Sequence, residues 1–271
     1  MSLLIDEDIT ERIRRLELPF NRHGVDPYGI SQKDLAWVYT ILAAFYRRYF
    51  RVRVYGVHNI PPRGRAMLVG NHSGGWALDG LMVMTACLLE MEPPRLAQGM
   101  AERFLSKLPL TAFLTNRLGH ITGLPANAVH LLEDERLLLV FPEGARGTAK
   151  LYPERNHLVN FGTGFMRLAL QTNTPIIPFA FVGGGDAIPT VTNLYRLGRL
   201  FGLPYLPVTP YGLPLPLPAP LEVYFSEPMR FSGTGNEDDA VVLQHVTAVK
   251  DRIAFLLEDG ARRHTLVRRR P

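Results

Sequence analysis

Three runs of apolar residues, none of them alternating with polar ones, mark the interior of this chain. They are Ala66-Met67-Leu68-Val69, Leu137-Leu138-Leu139-Val140-Phe141 and Pro175 to Val182. Short runs of this kind, bounded by glycine and proline, predict strands buried on both faces. Each runs into a glycine-punctuated loop: Asn71 to Gly80, Pro142 to Gly147, and Gly183-Gly184-Gly185. Between them the pattern predicts helices over Gly80 to Met91, Ala101 to Leu118 (one or two, broken near Pro109), Ala126 to Glu133 and Gly162 to Gln171, with a short strand at Ile121. Strands separated by helices predict an α/β fold, mixed, with a largely parallel central sheet flanked by helices. In such a fold the functional loops lie at the strand C-termini.

The ends add an N-terminal amphipathic helical extension and a basic tail. Ile9, Ile13 and Leu16 recur at helical spacing before Pro19, and Ser31 with Asp34 resembles a capping box ahead of an apolar run from Leu35 to Tyr46. That run reaches roughly 18 Å as a helix, too short for a hydrocarbon core of roughly 30 Å. Val52 and Val54 alternate with Arg51, Arg53 and Tyr55 as in an edge strand. From Thr190 to Pro220 the chain is rich in Leu and Pro, and its only charges are Arg196 and Arg199. Leu221 to Phe225 alternates as a strand. A helix is expected from Asn236, with Val242, Val246, Val249, Ile253 and Leu257 as its buried stripe. The expected divisions are a helical, membrane-associating extension over 1–50, an α/β domain over 51–258 and a basic tail over 259–271.

Composition sharpens this in two respects. A hydrophobic fraction of 46% supports a large core, and the single Cys87 excludes an internal disulfide and suits a reducing compartment. The acidic start, Asp6-Glu7-Asp8, stands where a signal peptide carries positive charge, so a cytoplasmic protein is expected. A net charge of +5 suits an anionic partner or only solubility. Three segments carry features of a membrane-surface contact: Trp37 to Arg53, where aromatics adjoin arginines; the Leu/Pro excursion; and Arg262, Arg263, Arg268, Arg269 and Arg270. Each also has a plainer reading, as a core helix, a self-packed lid and a solvated tail. Together they favour a protein peripheral on the cytoplasmic face of an anionic membrane, with no nucleic-acid partner.

Two loops carry candidate chemistry. His72 and Asp79 are able to share a proton; alternatively Asp79 only caps a helix. Glu143 and Arg146 follow the second buried strand, as substrate-binding groups or as a surface ion pair. Ser73 lacks a Gly-x-Ser-x-Gly elbow and Cys87 lies in an apolar helical run, so no covalent nucleophile is apparent.

The order Asn71-His72 to Asp79, then Phe141-Pro142-Glu143-Gly144-Ala145-Arg146, then Pro175-Ile176-Ile177-Pro178 resembles the glycerolipid acyltransferase superfamily, over roughly residues 50 to 230. The resemblance implies transfer of a fatty acyl group from acyl-CoA or acyl-ACP to the hydroxyl of a lysophospholipid or related lipid alcohol, with no cofactor and no metal. It implies His72 as general base oriented by Asp79, with Asn71, Gly74, Gly75, Glu143, Gly144 and Arg146 toward substrate. Two other classes remain, a lipid or thioester hydrolase and an inactive lipid-binding scaffold.

The chain departs from the family pattern in three places. Six residues, 73 to 78, separate His72 from Asp79, where relatives have four; the Gly74-Gly75 pair is expected to accommodate the wider turn. The segment Gly119 to Pro125 lacks an arginine that relatives with phosphorylated acceptors carry, and Gly147 replaces a small hydroxyl residue. Both phosphorylated and neutral lipid alcohols stay open as acceptors.

Overall fold

The computed structural model describes residues 5–73, 78–101, 121–122, 125–212 and 215–268. In chain order the strands are β1 (Arg53–Tyr55), β2 (Ala66–Gly70), β3 (Ala97–Ala101), β4 (Ile121–Thr122), β5 (Leu137–Val140), β6 (Ile176–Val182), β7 (Thr192–Leu194), β8 (Leu206–Val208) and β9 (Glu222–Phe225). The helices are α1 (Glu7–Arg14), α2 (Gln32–Ala44), α3 (Leu78–Glu90), α4 (Pro125–Glu133), α5 (Ala145–Thr148), α6 (Gly164–Gln171), α7 (Gly184–Ala187), α8 (Tyr195–Leu200) and α9 (Asp239–Arg268). A seven-stranded sheet has the order β1-β9-β6-β2-β5-β3-β4, and β7 pairs with β8 as a separate hairpin. Within the large sheet every pairing is parallel except β6 with β9. The sheet is therefore mixed and largely parallel, as the apolar runs predict.

Side-chain direction explains why those runs lack alternation. Along β2, Leu68 packs with α1, α2 and α3, while Met67 and Val69 pack with α4, α6 and α9 on the opposite face. Both faces are covered, so both sets of positions must be apolar. The N-terminal helices belong to the first of these layers: Ile9 and Ile13 of α1 and Leu35, Ala36 and Tyr39 of α2 share one core with Met82 and Val83 of α3. Local signals hold at their starts. The Asp6 side chain accepts the Asp8 N–H, and Ser31 Oγ accepts the Asp34 N–H at 3.3 Å.

Several expectations are corrected. Ala101 ends β3 rather than starting a helix, and the rest of the helical expectation over 102–118 lies outside the described residues. The last helix starts at Asp239, because Glu237 turns back to accept the N–H groups of Thr234 and Gly235. It also continues to Arg268, through residues expected as a tail, because Arg262 and Arg263 pair with Glu258 and Asp259 one turn earlier and His264 is buried. The Leu/Pro excursion holds the β7–β8 hairpin and α8. Among the described residues no helix is long and apolar enough to cross a membrane.

Register fixes where chemistry can gather. Val69 lies beside Val140, and Gly70 beside Phe179, so the chain leaves β2 and β5 at one level along the sheet, next to β6.

Candidate active site

At the end of β2, Asn71 is fully buried and its amide is committed to β6. Its Nδ2 donates to the Phe181 carbonyl at 3.0 Å, and its Oδ1 accepts the Phe181 N–H at 2.7 Å. The side chain thus imitates one more rung of the ladder and fixes the point at which the chain turns away. Both polar atoms of the amide expected to contact substrate are thus engaged with the Phe181 backbone, and Asn71 sets the direction of His72.

The turn brings His72 back onto the start of α3. His72 Nδ1 lies 2.7 Å from Asp79 Oδ2, so the six intervening residues still allow the pair to form. Gly74 and Gly75, expected to widen this turn, lie outside the described residues. Asp79 is fully buried; its Oδ2 also accepts the Ser73 N–H at 2.6 Å and its Oδ1 the Gly80 N–H at 2.8 Å. Three groups therefore converge on this carboxylate, which lies in the first turn of α3. A carboxylate on Nδ1 selects the tautomer with Nδ1 protonated and the Nε2 lone pair available. Nε2 has no hydrogen-bond partner among the described residues, and the side chain is 13% exposed. The ring stacks on Phe141 at 4.1 Å with planes 13° apart, which fixes its plane.

Glu143, from the loop after β5, is a buried hub beneath the histidine. Its Oε1 accepts the His72 backbone N–H at 2.8 Å, and its Oε2 accepts the Val159 N–H at 2.9 Å. Lys150 Nζ donates to both oxygens, at 3.2 and 3.0 Å, and to the His157 carbonyl at 3.0 Å. The carboxylate of Glu143, expected toward substrate, is thus taken up within the protein. Its partners are the site's own backbone and Lys150, a residue the motif pattern does not contain. A lysine two residues past a four-residue helix looks solvent-exposed in sequence, and only the tertiary pairing reveals its burial.

Arg146 points outward and spends one N–H on the Asn160 carbonyl at 3.2 Å, leaving most of its guanidinium open. Gly144 makes the turn before α5 with φ +56° and donates its N–H to Phe141. Gly147 is where the two loops touch: a Cβ there would lie 2.6 Å from His72 Cβ and 2.8 Å from Glu143 Cβ. The departure at this position therefore has a steric cause, since no side chain fits between the histidine and the glutamate. Among the described residues no group of histidine, cysteine and carboxylate side chains has the geometry of a metal site.

The arrangement is suited to general-base chemistry: a buried carboxylate, an oriented imidazole whose Nε2 has no partner among the described residues, and an exposed cation one residue from the glycine that packs on the histidine. Comparison with known proteins agrees on the family. The acyltransferase family model matches residues 51–182, which hold both loops. The chain is 35% identical over 243 residues to an uncharacterized protein of Mycobacterium tuberculosis, covering 85% of this chain and 68% of that one. It is 26% identical over 213 residues to a Bos taurus protein named DGAT1/2-independent enzyme synthesizing storage lipids, covering 74% of this chain and 58% of that one. Its fold is similar to that of the 1-acyl-sn-glycerophosphate acyltransferase PlsC from Thermotoga maritima, with a TM-score of 0.55 at 18% identity over 84% of this chain and 82% of that one. The chain belongs to the acyltransferase family.

Proposed function

We propose that the protein transfers a fatty acyl group from an acyl thioester, acyl-CoA or acyl-ACP, to the hydroxyl of a lysophospholipid or related glycerolipid alcohol, working peripherally at the cytoplasmic face of a membrane. The observation that carries this reading is the 2.7 Å contact of His72 Nδ1 with Asp79 while Nε2 has no partner among the described residues. Nε2 takes the acceptor's hydroxyl proton as its oxygen attacks the thioester carbonyl, and Asp79 stabilises the imidazolium that forms. The tetrahedral adduct then collapses, the carbon–sulfur bond breaks, and the imidazolium returns its proton to the departing thiolate. No acyl-enzyme is required. Arg146 is the group best suited to an acceptor phosphate or ester oxygen, because guanidinium binds such oxygens through paired N–H groups.

The names of the relatives point to lipid chemistry of two kinds: the bovine protein is named for synthesizing storage lipids, and the bacterial structure is named as an acyltransferase of 1-acyl-sn-glycerophosphate. An inactive scaffold is disfavoured by a histidine and an aspartate that meet at hydrogen-bonding distance. The test is thioester-dependent acylation of a lysolipid panel by wild type and His72→Ala. The mutant is expected to lose roughly 10²- to 10⁴-fold in turnover, the usual contribution of general-base catalysis. Unchanged turnover would overturn the mechanism, and equal release of free fatty acid with and without acceptor would make the protein a hydrolase.

A further inference from the structure

Among the described residues, more than half of the large apolar side chains left open to solvent lie between Val191 and Leu217. Leu200 is 78% exposed and Phe201 58%, and Tyr195, Leu197, Tyr211 and Leu215 stand open beside them. A patch of this kind is costly in water and marks a surface that meets an apolar partner. Its charge is equally one-sided. From Ala187 to Leu221 the chain contains no acidic residue, and its two charges, Arg196 and Arg199, are both exposed among the aromatics and leucines. We propose that this excursion is a docking surface for an anionic phospholipid bilayer, with α8 and Phe201 entering the boundary between headgroups and acyl chains and the two arginines meeting lipid phosphates.

The combination of aromatic, leucine and arginine side chains without acid fits that boundary, where apolar area is buried and cations are attracted together. The structure also separates this segment from the other two that carry membrane-surface features. In and beyond α2, Tyr39, Tyr46 and Phe50 are buried in the core, and Arg47 pairs with Asp8 at 2.6 Å. On α9, Arg262 and Arg263 pair with Glu258 and Asp259. Of the three, the excursion exposes the widest apolar surface among the described residues, and it joins that surface to two exposed arginines.

Its mounting ties the surface to the site. Asn193 Nδ2 donates to the Ala149 carbonyl at 2.7 Å, the Tyr205 hydroxyl donates to Thr148 Oγ1, and the Tyr152 N–H donates to the Thr190 carbonyl at 2.8 Å. Thr148 and Ala149 follow Gly147, which packs on His72. A bilayer held by Leu200 and Phe201 therefore lies against the segment that carries the proposed site. Docking itself does not depend on the chemistry proposed for that site.

The experiment uses vesicles of phosphatidylcholine with and without phosphatidylglycerol, with no acyl thioester present, so that binding is read without transfer. The wild type is expected to co-sediment with the anionic vesicles, less so as salt is raised. The double variant Leu200→Asp/Phe201→Asp is expected to bind roughly tenfold or more weakly, since a charge replaces each inserted apolar group. A second measurement guards against misfolding of that variant. Leu200→Cys labelled with an environment-sensitive dye is expected to shift to the blue on anionic vesicles; Cys87 is fully buried and escapes labelling. His72→Ala is expected to bind vesicles like the wild type, so a failed catalytic reading leaves this test intact. Emission from the labelled protein unchanged on vesicles would overturn the proposal. So would a wild type that is dimeric in buffer and becomes monomeric on Leu200→Asp with vesicle binding unaltered, because a second copy would then cover the face.

Discussion

The backbone N–H of His72 donates to Glu143 at 2.8 Å, and the same buried carboxylate is neutralised by Lys150 Nζ. One carboxylate thus ties the end of β2 to the loop after β5, and its lysine keeps a buried charge from standing alone. Removing one partner of such a pair costs about 3–5 kcal/mol, because the other is left charged and desolvated. Lys150→Met is therefore expected to lower stability by about that amount in urea denaturation. Adding Glu143→Gln to Lys150→Met is expected to restore part of the loss, since a neutral amide oxygen still accepts a backbone N–H; a strictly additive double variant would show that the two residues do not act as a pair.

Asp79→Asn separates positioning from folding. Gly80 donates to one carboxylate oxygen, while His72 Nδ1 and the Ser73 N–H meet the other. An amide that keeps its oxygen toward Gly80 turns its NH₂ toward two groups that need an acceptor. The imidazole is then driven to the tautomer with Nε2 protonated, which has no lone pair for the acceptor proton. Turnover is expected to fall on the order of 10³-fold or more with KM little changed, measured by steady-state acylation. A kcat within a few-fold of wild type would remove Asp79 from the mechanism.

Gly147→Ala tests the contact between the two loops. The added methyl would sit 2.6 Å from His72 Cβ, far inside van der Waals distance, so either the histidine or α5 must move. A forced shift in a packed region costs about 1–3 kcal/mol, and here it also displaces the imidazole. Loss of activity together with a lowered melting temperature is expected. An alanine variant of unchanged activity and melting temperature would mean that α5 is free to yield.

The parts of this molecule legible in sequence are those whose cause is local. Runs such as Leu137 to Val140 announce a strand because both faces of the sheet are covered, and Ser31 announces a helix start because its hydroxyl serves an N–H three residues on. Strand β3, Ala97–Ala101, carries a polar Gln98 and a Gly99, and it is a strand only because β5 lies beside it. In the site, His72 and Asp79 could be named from their motif, while the duties of Asn71 and Glu143 could not. A polar side chain at a strand end looks the same whether it faces a ligand or, as with Asn71, the backbone of Phe181. Gly260 makes the same point in α9. Inside a helix glycine is destabilising, yet a Cβ there would lie 2.7 Å from the Tyr224 ring, so its absence lets the helix approach the sheet.

His264, on the same helix, gives stability a pH dependence. It is buried, with Nε2 3.5 Å from Asp186 Oδ2 and Nδ1 3.8 Å from Glu222 Oε2. The Asp186 carboxylate first and Glu222 second favour the imidazolium over the burial that opposes it, raising its pKa from 6.5 to about 9. For Glu222, burial disfavours the charge, but His264 and the Tyr224 hydroxyl outweigh it and hold the carboxyl below its ordinary 4.5. A raised pKa means that the folded state binds more protons than the unfolded one. The contribution of His264 is therefore complete below about pH 6.5, falls as pH rises, and is gone above about pH 9. That of Glu222 has the opposite sign, being present above about pH 4.5 and lost as acid protonates it. Urea unfolding at pH 6, 7.5 and 9 is expected to show the wild type losing stability across this range, and His264→Gln to show a much flatter profile with lower stability at pH 6. A wild-type profile that is flat from pH 6 to 9, or one that His264→Gln leaves unaltered, would show that the imidazolium does not hold α9 to the sheet.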